Sequence, residues 1–294
     1  MRIAVTHTRL RTEERLLLDS FEAEGIDATP IDLRSVVFDP AAPGEWLQYD
    51  AVIDRSVSLT NALTAVRLLE SFGVRCINTL ATIEACSDKL ATTIALLRAG
   101  VATPGVRVAT SAESGVRAIE ELGYPVVLKP TVGSWGRLVA RVNDRDAAEA
   151  ILEHRETLGS AQQGVFYVQE HIDKPGRDIR AFVIGGEVIA AISRTSSHWV
   201  TNTARGATAA GLTPSDELRD LCVRAAAAVG GDIVAIDVLE CPRRGLLVNE
   251  INHSMEFRNS ITTTGVDIPR LVVRHVARIA ELGRSPAALS GAVS

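Results

Sequence analysis

The chain has 294 residues, 46% of them hydrophobic, and a mean hydropathy of +0.14, enough apolar side chains for about two packed domains. Its net charge of −5 and pI of about 5.7 speak against a nucleic-acid protein, and no apolar run approaches the ~20 residues a membrane-spanning helix needs. The N-terminus lacks the basic start and apolar stretch of a signal peptide, so a soluble cytoplasmic protein with no nucleic-acid or membrane partner is expected.

Taken in order, RIAVTH reads as a strand and Glu13–Glu24 as an amphipathic helix ended by Gly25. ATPIDL, DAVIDRS and VRCINT are strands, with a helix over Asn61–Phe72, and the series predicts a βαβ unit with a parallel sheet. A helix from Ile83 to Arg98, ended by Gly100, leaves this unit. The second unit runs through the strand GVRVAT, a helix Ser111–Leu122, the strands PVVLKP and RLVARV, and a helix Asp144–His154. The third opens with the strand FYVQEHI and the hairpin DIRAFVI-GG-EVIAAISR, whose two glycines supply the positive φ angles of its turn. A polar loop, Thr195–Gly211, precedes a helix capped by Thr213 or Ser215 and stopped by Gly230. A second hairpin, DIVAIDVLE-CPRRG-LLVNEIN, and a helix from Pro269 to Leu282 complete the pattern. The expected limits are 1–86, 87–164 and 165–284, with a flexible tail over 285–294.

Cys76, Cys86, Cys222 and Cys241 have no zinc spacing and read as free thiols. Only three of the 31 basic residues are lysines: Lys89, Lys129 and Lys174. A chain that uses arginine for ordinary surface charge places lysine where a compact point charge is wanted. Lys174, in the turn DKPG, reads as plain surface, which leaves Lys89 and Lys129 as the candidates.

The second hairpin carries the strongest chemistry. Pairing Cys241 with Leu246 and counting outward sets Asp237 opposite Glu250, and Asn252 shares the face of Glu250. Opposed like charges destabilise a sheet, so the cluster calls for a cation, and its oxygen donors suit Mg²⁺ or Mn²⁺. A solvated strand end with unrelated acids is the plainer alternative. TVGSWGRL, after Lys129, is a loop whose Gly133 and Gly136 leave backbone amides free for phosphates. In VQEHIDKPGRDIR, carboxylates stand ready for ribose hydroxyls or an adenine amine. Pairing Ile184 with Glu187 in the glycine hairpin sets Arg177 opposite Arg194, an arrangement that points to a bound anion or to a surface salt bridge.

CSDKLAT, PVVLKPTVGSWGRL, VQEHIDKPGRDIRAFVIG, SHWVTNTARG, AIDVLE and VNEINHSMEFRNSITTTGVDIP together resemble, over nearly the whole length, the RimK-like ligases of the ATP-grasp superfamily. The resemblance implies an α/β (α+β) fold: an N-terminal βαβ pre-ATP-grasp domain, a small central lid domain and a C-terminal domain with a mixed or antiparallel sheet. It implies ATP and two Mg²⁺ ions, or Mn²⁺, as cofactors. Lys89 and Lys129 would bind phosphates and Gly133, Ser134, Trp135, Gly136 and Arg137 would cover them. Gln169, Glu170, His171 and Ile172 would line the adenine pocket, with Asp178 near the ribose. Arg180, Arg194, Thr201 and Asn202 would meet the triphosphate and an acyl phosphate, and Asp237, Glu250 and Asn252 would hold the metal. The same resemblance implies a ligase of lysine biosynthesis that joins α-aminoadipate to the C-terminal glutamate of an acidic amino-group carrier protein of the LysW type, working as a homodimer or homotetramer. Arg205, Arg258, Asn259, Ser260, Ile261, Thr262 and Thr263 would meet the substrates, and Arg205, Arg243, Arg244 and Arg258 the acidic carrier. Asn-Ser-Ile at 259–261 goes with aminoadipate, where a Gly-Phe pair goes with glutamate. ARGATAAG departs from the RimK pattern, which has a second glycine after Arg-Gly. A glutamate ligase, a secondary-metabolite carrier ligase and a non-enzymatic nucleotide-binding regulator are the alternatives.

Overall fold

Short apolar strands alternating with amphipathic helices build the N-terminal part of the chain, as the sequence pattern predicts. The structure is a computed structural model and describes residues 1–133, 138–159, 164–201 and 206–284. Strands β1 (Arg2–His7), β2 (Asp27–Asp32), β3 (Ala51–Asp54) and β4 (Cys76–Ile77) form a parallel sheet in the order β2-β1-β3-β4. Side chains alternate across it. Ile3 and Val5 pack with Leu17 and Phe21 of α1 (Thr12–Ala23) and with α9 (Ile268–Arg284), while Ala4 and Val52 pack with Val66 and Leu69 of α2 (Leu59–Ser71). The strand order reverses at β1 and β3, and the carboxyl ends flanking such a switch are where ligands approach these sheets.

The single helix expected over Ile83–Arg98 is two, α3 (Leu80–Ser87) and α4 (Lys89–Arg98). Asp88 breaks it. Its backbone is extended, its carboxylate accepts from the Leu90 and Ala91 amides at 2.7 and 3.2 Å, and it bridges to Val132. The apolar period continues across the break, so only this long-range pairing reveals it.

The middle sheet is antiparallel, in the order β5-β8-β6-β7, from β5 (Val106–Ala109), β6 (Val126–Lys129), β7 (Ala140–Val142) and β8 (Phe166–Glu170). Helices α5 (Ala112–Leu122) and α6 (Arg145–Leu158) close its core around Ile119, Leu128, Leu152 and Phe166. The pattern along the chain groups β8 with the third unit, but its hydrogen bonds place it between β5 and β6.

The third sheet runs β11-β10-β9-β12-β13, from β9 (Arg177–Ile184), β10 (Glu187–Thr195), β11 (Thr208–Gly211), β12 (Ile233–Cys241) and β13 (Gly245–Asn252). Helix α7 (Asp216–Ala228), capped by Ser215, covers one face, and α9 packs on the other, which joins this sheet to the N-terminal one in a single core. Asn78 adds a polar tie: its amide donates to the carbonyls of Ile233 and His253 at 2.8 Å each, and its oxygen accepts from the Asp232 and Ile233 amides. Two elements escape the sequence pattern. β11, TAAG, lies in the expected loop, and α8 (Arg258–Thr264) is a short polar helix packed on it. Gly211 permits that approach, since a Cβ there would lie 2.5 Å from the Thr263 carbonyl oxygen. All four cysteines are free thiols, with Cys241 part-exposed and the others buried. Among the described residues no helix is long and apolar enough to cross a membrane.

Candidate active site

The ends of β6 and β8 in the middle sheet face β9, β10, β12 and β13 of the third across a cleft. All three lysines line it. Lys89, the first residue of α4, donates to the Gly133 carbonyl at 2.6 Å and stands 3.8 Å from Glu250 Oε1. Lys129 ends β6 and donates to Asn249 Oδ1 at 3.0 Å. Burial pulls it down to about 8 against the attraction of Glu250. Lys174 is not plain surface. Its ammonium donates to Thr201 Oγ1 at 2.6 Å and lies 3.6 Å from Asp178, and burial lowers its pKa too. The rarity of lysine in this chain was the available clue.

The pairing of β9 with β10 overturns the expectation of opposed arginines. A bulge at Ile189 shifts the ladder, so Arg194 lies opposite Asp178 and Arg177 opposite Thr195. Arg177 instead grips Glu240 through Nε and Nη2 at 2.7 and 2.8 Å. Arg194 is 3% exposed and bonds Asp178 at 2.7 Å and Asp237 at 3.1 Å. Arg180 holds both oxygens of Asp237, at 2.7 and 2.9 Å. Burial alone would raise the Asp237 carboxyl, but the two guanidiniums outweigh it and hold it well below the usual carboxylate range. The same carboxylates raise Arg194 against its burial. Asp178 also accepts from the Thr201 hydroxyl.

Asp237 does lie opposite Glu250, by a different route from the sequence count. The hairpin closes one residue earlier, with Cys241 opposite Gly245, and a bulge at Asn249 restores the register. The bulge also turns Asn249 and Glu250 into the same cleft. The cations beside the opposed acids are Arg180 and Arg194 at Asp237 and, 3.8 Å away, Lys89 at Glu250. Among the described residues Glu250 accepts no hydrogen bond, and Asn252 Nδ2 is buried without a partner. Both line an adjoining cavity with Asp237, Arg180 and His253, whose pKa burial and then Arg55 lower to about 4. Among the described residues no three His, Cys, Asp or Glu side chains cluster, because the third oxygen donor here is an amide.

At the other end of the cleft Gln169, Glu170, His171 and Ile172 leave β8 beside Trp199, whose ring is 6.1 Å from that of His171. Burial lowers the pKa of His171. Glu170 accepts from the Gly105 amide at 2.7 Å and from Arg244. Arg244 therefore braces this end of the cleft, while Arg258 stands on a different cavity with Asn259 and Ser260. Ile261 packs on the core, Thr262 is exposed, and Thr263 donates to the Asn259 carbonyl at 2.5 Å. The segment after Asn252 thus brings 258–260, the first turn of α8, to the cavity, and the rest of that helix runs on beyond it. Ser134, Trp135, Gly136, Arg137, Asn202 and Arg205 lie outside the described residues.

The comparisons with known proteins agree with this architecture. Residues 86–276 match the RimK-like ATP-grasp domain, and residues 3–85 match the LysX preATP-grasp domain. The chain is similar to the glutamate–LysW ligase ArgX of Sulfurisphaera tokodaii, with 34% identity over 279 residues covering 94% of this chain and 98% of that protein. It is also similar to the α-aminoadipate–LysW ligase LysX of Sulfolobus acidocaldarius, with 35% identity over 263 residues covering 88% of this chain and 95% of that protein. The crystal structure of a RimK domain ATP-grasp protein from Sphaerobacter thermophilus superposes with a TM-score of 0.77 at 32% identity, covering 94% of this chain and 99% of that one. The fold, the cleft and these similarities converge: the chain belongs to the RimK-like ATP-grasp family of ATP-dependent ligases.

Proposed function

We propose that this ligase joins the amino group of α-aminoadipate to the γ-carboxylate of the C-terminal glutamate of a small acidic carrier protein of the LysW type. Similarity to two LysW ligases over 94% and 88% of the chain supports the carrier. The observation that carries the chemistry is the convergence of three lysines, Arg194, Asp237 and Glu250 around one cleft, with Arg180 bonded to Asp237 from the adjoining cavity. In this reading Lys89 and Lys129 take the ATP phosphates, residues 169–172 the adenine and Asp178 the ribose side. Asp237, Glu250 and Asn252 fit a hard divalent cation such as Mg²⁺, because all three offer oxygen and the Glu250 carboxylate has no hydrogen bond among the described residues. Magnesium there would supply charge neutralisation for the phosphates.

A carboxylate does not acylate an amine unaided. The carrier carboxylate oxygen attacks the γ-phosphorus and ADP leaves, giving an acyl phosphate. The acceptor ammonium gives up a proton to solvent, the free amine attacks the acyl carbon, and the amide forms as its nitrogen loses a second proton and phosphate departs with the C–O electron pair, taking up that proton. Arg180 and Arg194, already gathered at the meeting point of the cavities, would hold the transferred phosphoryl group, and catalysis would rest on positioning and charge.

Glutamate is the second reading for the acceptor, favoured by the similarity to a glutamate–LysW ligase. The two differ by one methylene. Ser260, 2% exposed on the cavity wall, is small and leaves room for the longer chain. One methylene is worth about 10–200-fold in discrimination. Purified carrier with each amino acid should give ADP, with kcat/KM higher for α-aminoadipate by that order, and Asn259→Gly with Ser260→Phe should move the ratio toward glutamate. A wild type that prefers glutamate would overturn the acceptor assignment, and no carrier-dependent ADP release with either would overturn the carrier reading.

A further inference from the structure

The cavity beside Ser260 is lined by six arginines, Arg9, Arg11, Arg15, Arg180, Arg194 and Arg258, and by two acids, Glu13 and Glu256. Half of these charges are already committed. Arg180 and Arg194 hold Asp237, and Arg11 holds Glu14 and reaches Glu256 at 3.3 Å. Glu14, the neighbour of Glu13 on α1, is consumed by Arg11 and by the buried Arg55 at 3.2 Å. Glu13 is different. Its side chain is 6% exposed, accepts no hydrogen bond among the described residues, and has Arg258 Nε as its nearest cation at 3.9 Å.

A carboxylate so enclosed, with no hydrogen-bond partner among the described residues, opens on the cavity and is available to a cation bound there. Its place in the first turn of α1 favours negative charge there, yet that explains the charge and not its burial against a cavity. The groups without other side-chain ion pairs among the described residues, Arg9, Arg15 and Arg258 with Glu13, are the complement of a molecule bearing two carboxylates and one ammonium. We propose that Glu13 is the residue that binds and orients the α-ammonium of the acceptor dicarboxylic amino acid, with the surrounding arginines taking its carboxylates. The proposal rests on the ligase reading above and deepens it. It also gives the pre-ATP-grasp domain a direct part in choosing an amine-bearing acceptor over a plain dicarboxylate.

The test compares each acceptor with its analogue lacking the amine: α-aminoadipate with adipate, and glutamate with glutarate. Calorimetry supplies the dissociation constants, and competition against ligation supplies a second measure. The wild type should favour the amino acid over its analogue by about 10–100-fold, the value of a hydrogen bond between charged groups. In Glu13→Gln the preference should fall to within a few-fold of unity, while KM for ATP stays unchanged. A structural role would weaken amino acid and analogue alike and leave their ratio intact, and that result would overturn the proposal. Glu13→Asp keeps the charge and shortens the reach, so the ratio should fall only in part; if Glu13→Gln fails to fold, an unchanged ratio in Glu13→Asp overturns the proposal instead. A wild type that ligates both amino acids while Glu13→Gln keeps the preference refutes only the role of Glu13. A wild type that ligates neither refutes the parent reading and this one with it.

Discussion

Asp237 and Glu250 face each other across one ladder pair yet sit in different electrostatic surroundings. Asp237 is 5% exposed and neutralises two arginines, whereas the Glu250 side chain is 29% exposed with Lys89 at 3.8 Å. Both substitutions, Asp237→Asn and Glu250→Gln, should abolish ligation. Only Asp237→Asn should also destabilise the protein, by about 3–5 kcal/mol, because it takes the carboxylate from half-buried Arg180 and leaves buried Arg194 with Asp178 alone. Urea unfolding of the two variants beside a ligation assay separates these outcomes, and an Asp237→Asn protein as stable as wild type would refute the account. Lys129 makes the opposite case. Its pKa falls from 10.5 to about 8 in the fold, chiefly through burial. Between those values the unfolded chain holds a proton that the folded chain has released, so this group makes stability rise as pH climbs through that window. Lys129→Met should flatten that rise and increase the melting temperature of the nucleotide-free protein at pH 7 while removing ligation. Thermal melts at pH 7 and pH 10 check it.

At the level of elements, the site depends on places where regular structure is interrupted. The bulges at Ile189 and Asn249 select which charges meet. The first gives Arg194 the carboxylate of Asp178, and the second turns Asn249 toward Lys129 beside Glu250. The break at Asp88 does the same for a helix. Capping by its side chain begins α4 at Lys89, whose amide donates to the Thr131 carbonyl at 2.9 Å and whose ammonium reaches Gly133. Asp88→Ala should cost about 0.5–2 kcal/mol of stability through the lost cap. It should also weaken ATP binding, since Lys89 would no longer be anchored at the start of a capped helix. Equilibrium unfolding and nucleotide titration read the two effects, and unchanged ATP affinity would show that the cap only stabilises.

For the molecule as a whole, the arrangement of cores sets what moves with what. Helix α9 supplies Val272, Val273 and Val276 to one cluster that also holds Ile3, Val5 and Ile53 of the N-terminal sheet and Phe182, Ile192 and Ala235 of the third. Those two sheets share an interior and should unfold together. The middle sheet keeps its own core around Leu128, Leu152 and Phe166. Leu152→Ala should cost the middle unit about 2–5 kcal/mol and speed amide exchange in β5 to β8 alone. Val273→Ala should speed it in the N-terminal and third sheets together. Exchange that rises uniformly across all three sheets in both variants would contradict this division.

Much was determined by the sequence itself. The parallel βαβ opening, both hairpins, the carboxyl–amide cluster of Asp237, Glu250 and Asn252 and the lysines at 89 and 129 are all readable from apolar period, turn chemistry and local spacing. So is the family, whose motifs are contiguous. Tertiary structure decided the rest because it depends on partners distant along the chain. Ladder register is set by bulges that local pattern does not mark, which is why Arg177 and Arg194 proved not to be opposed. β11 is a strand only because β10 offers its edge, and β8 belongs to the middle sheet because of its hydrogen bonds and not its neighbours in sequence. Lys174 becomes a cleft residue, and Glu13 a buried carboxylate facing arginines from four other elements or loops, only when the fold brings Thr201, Asp178 and Arg258 to them. Side-chain chemistry is local to the sequence, but burial, countercharge and register arise from pairings across the whole molecule.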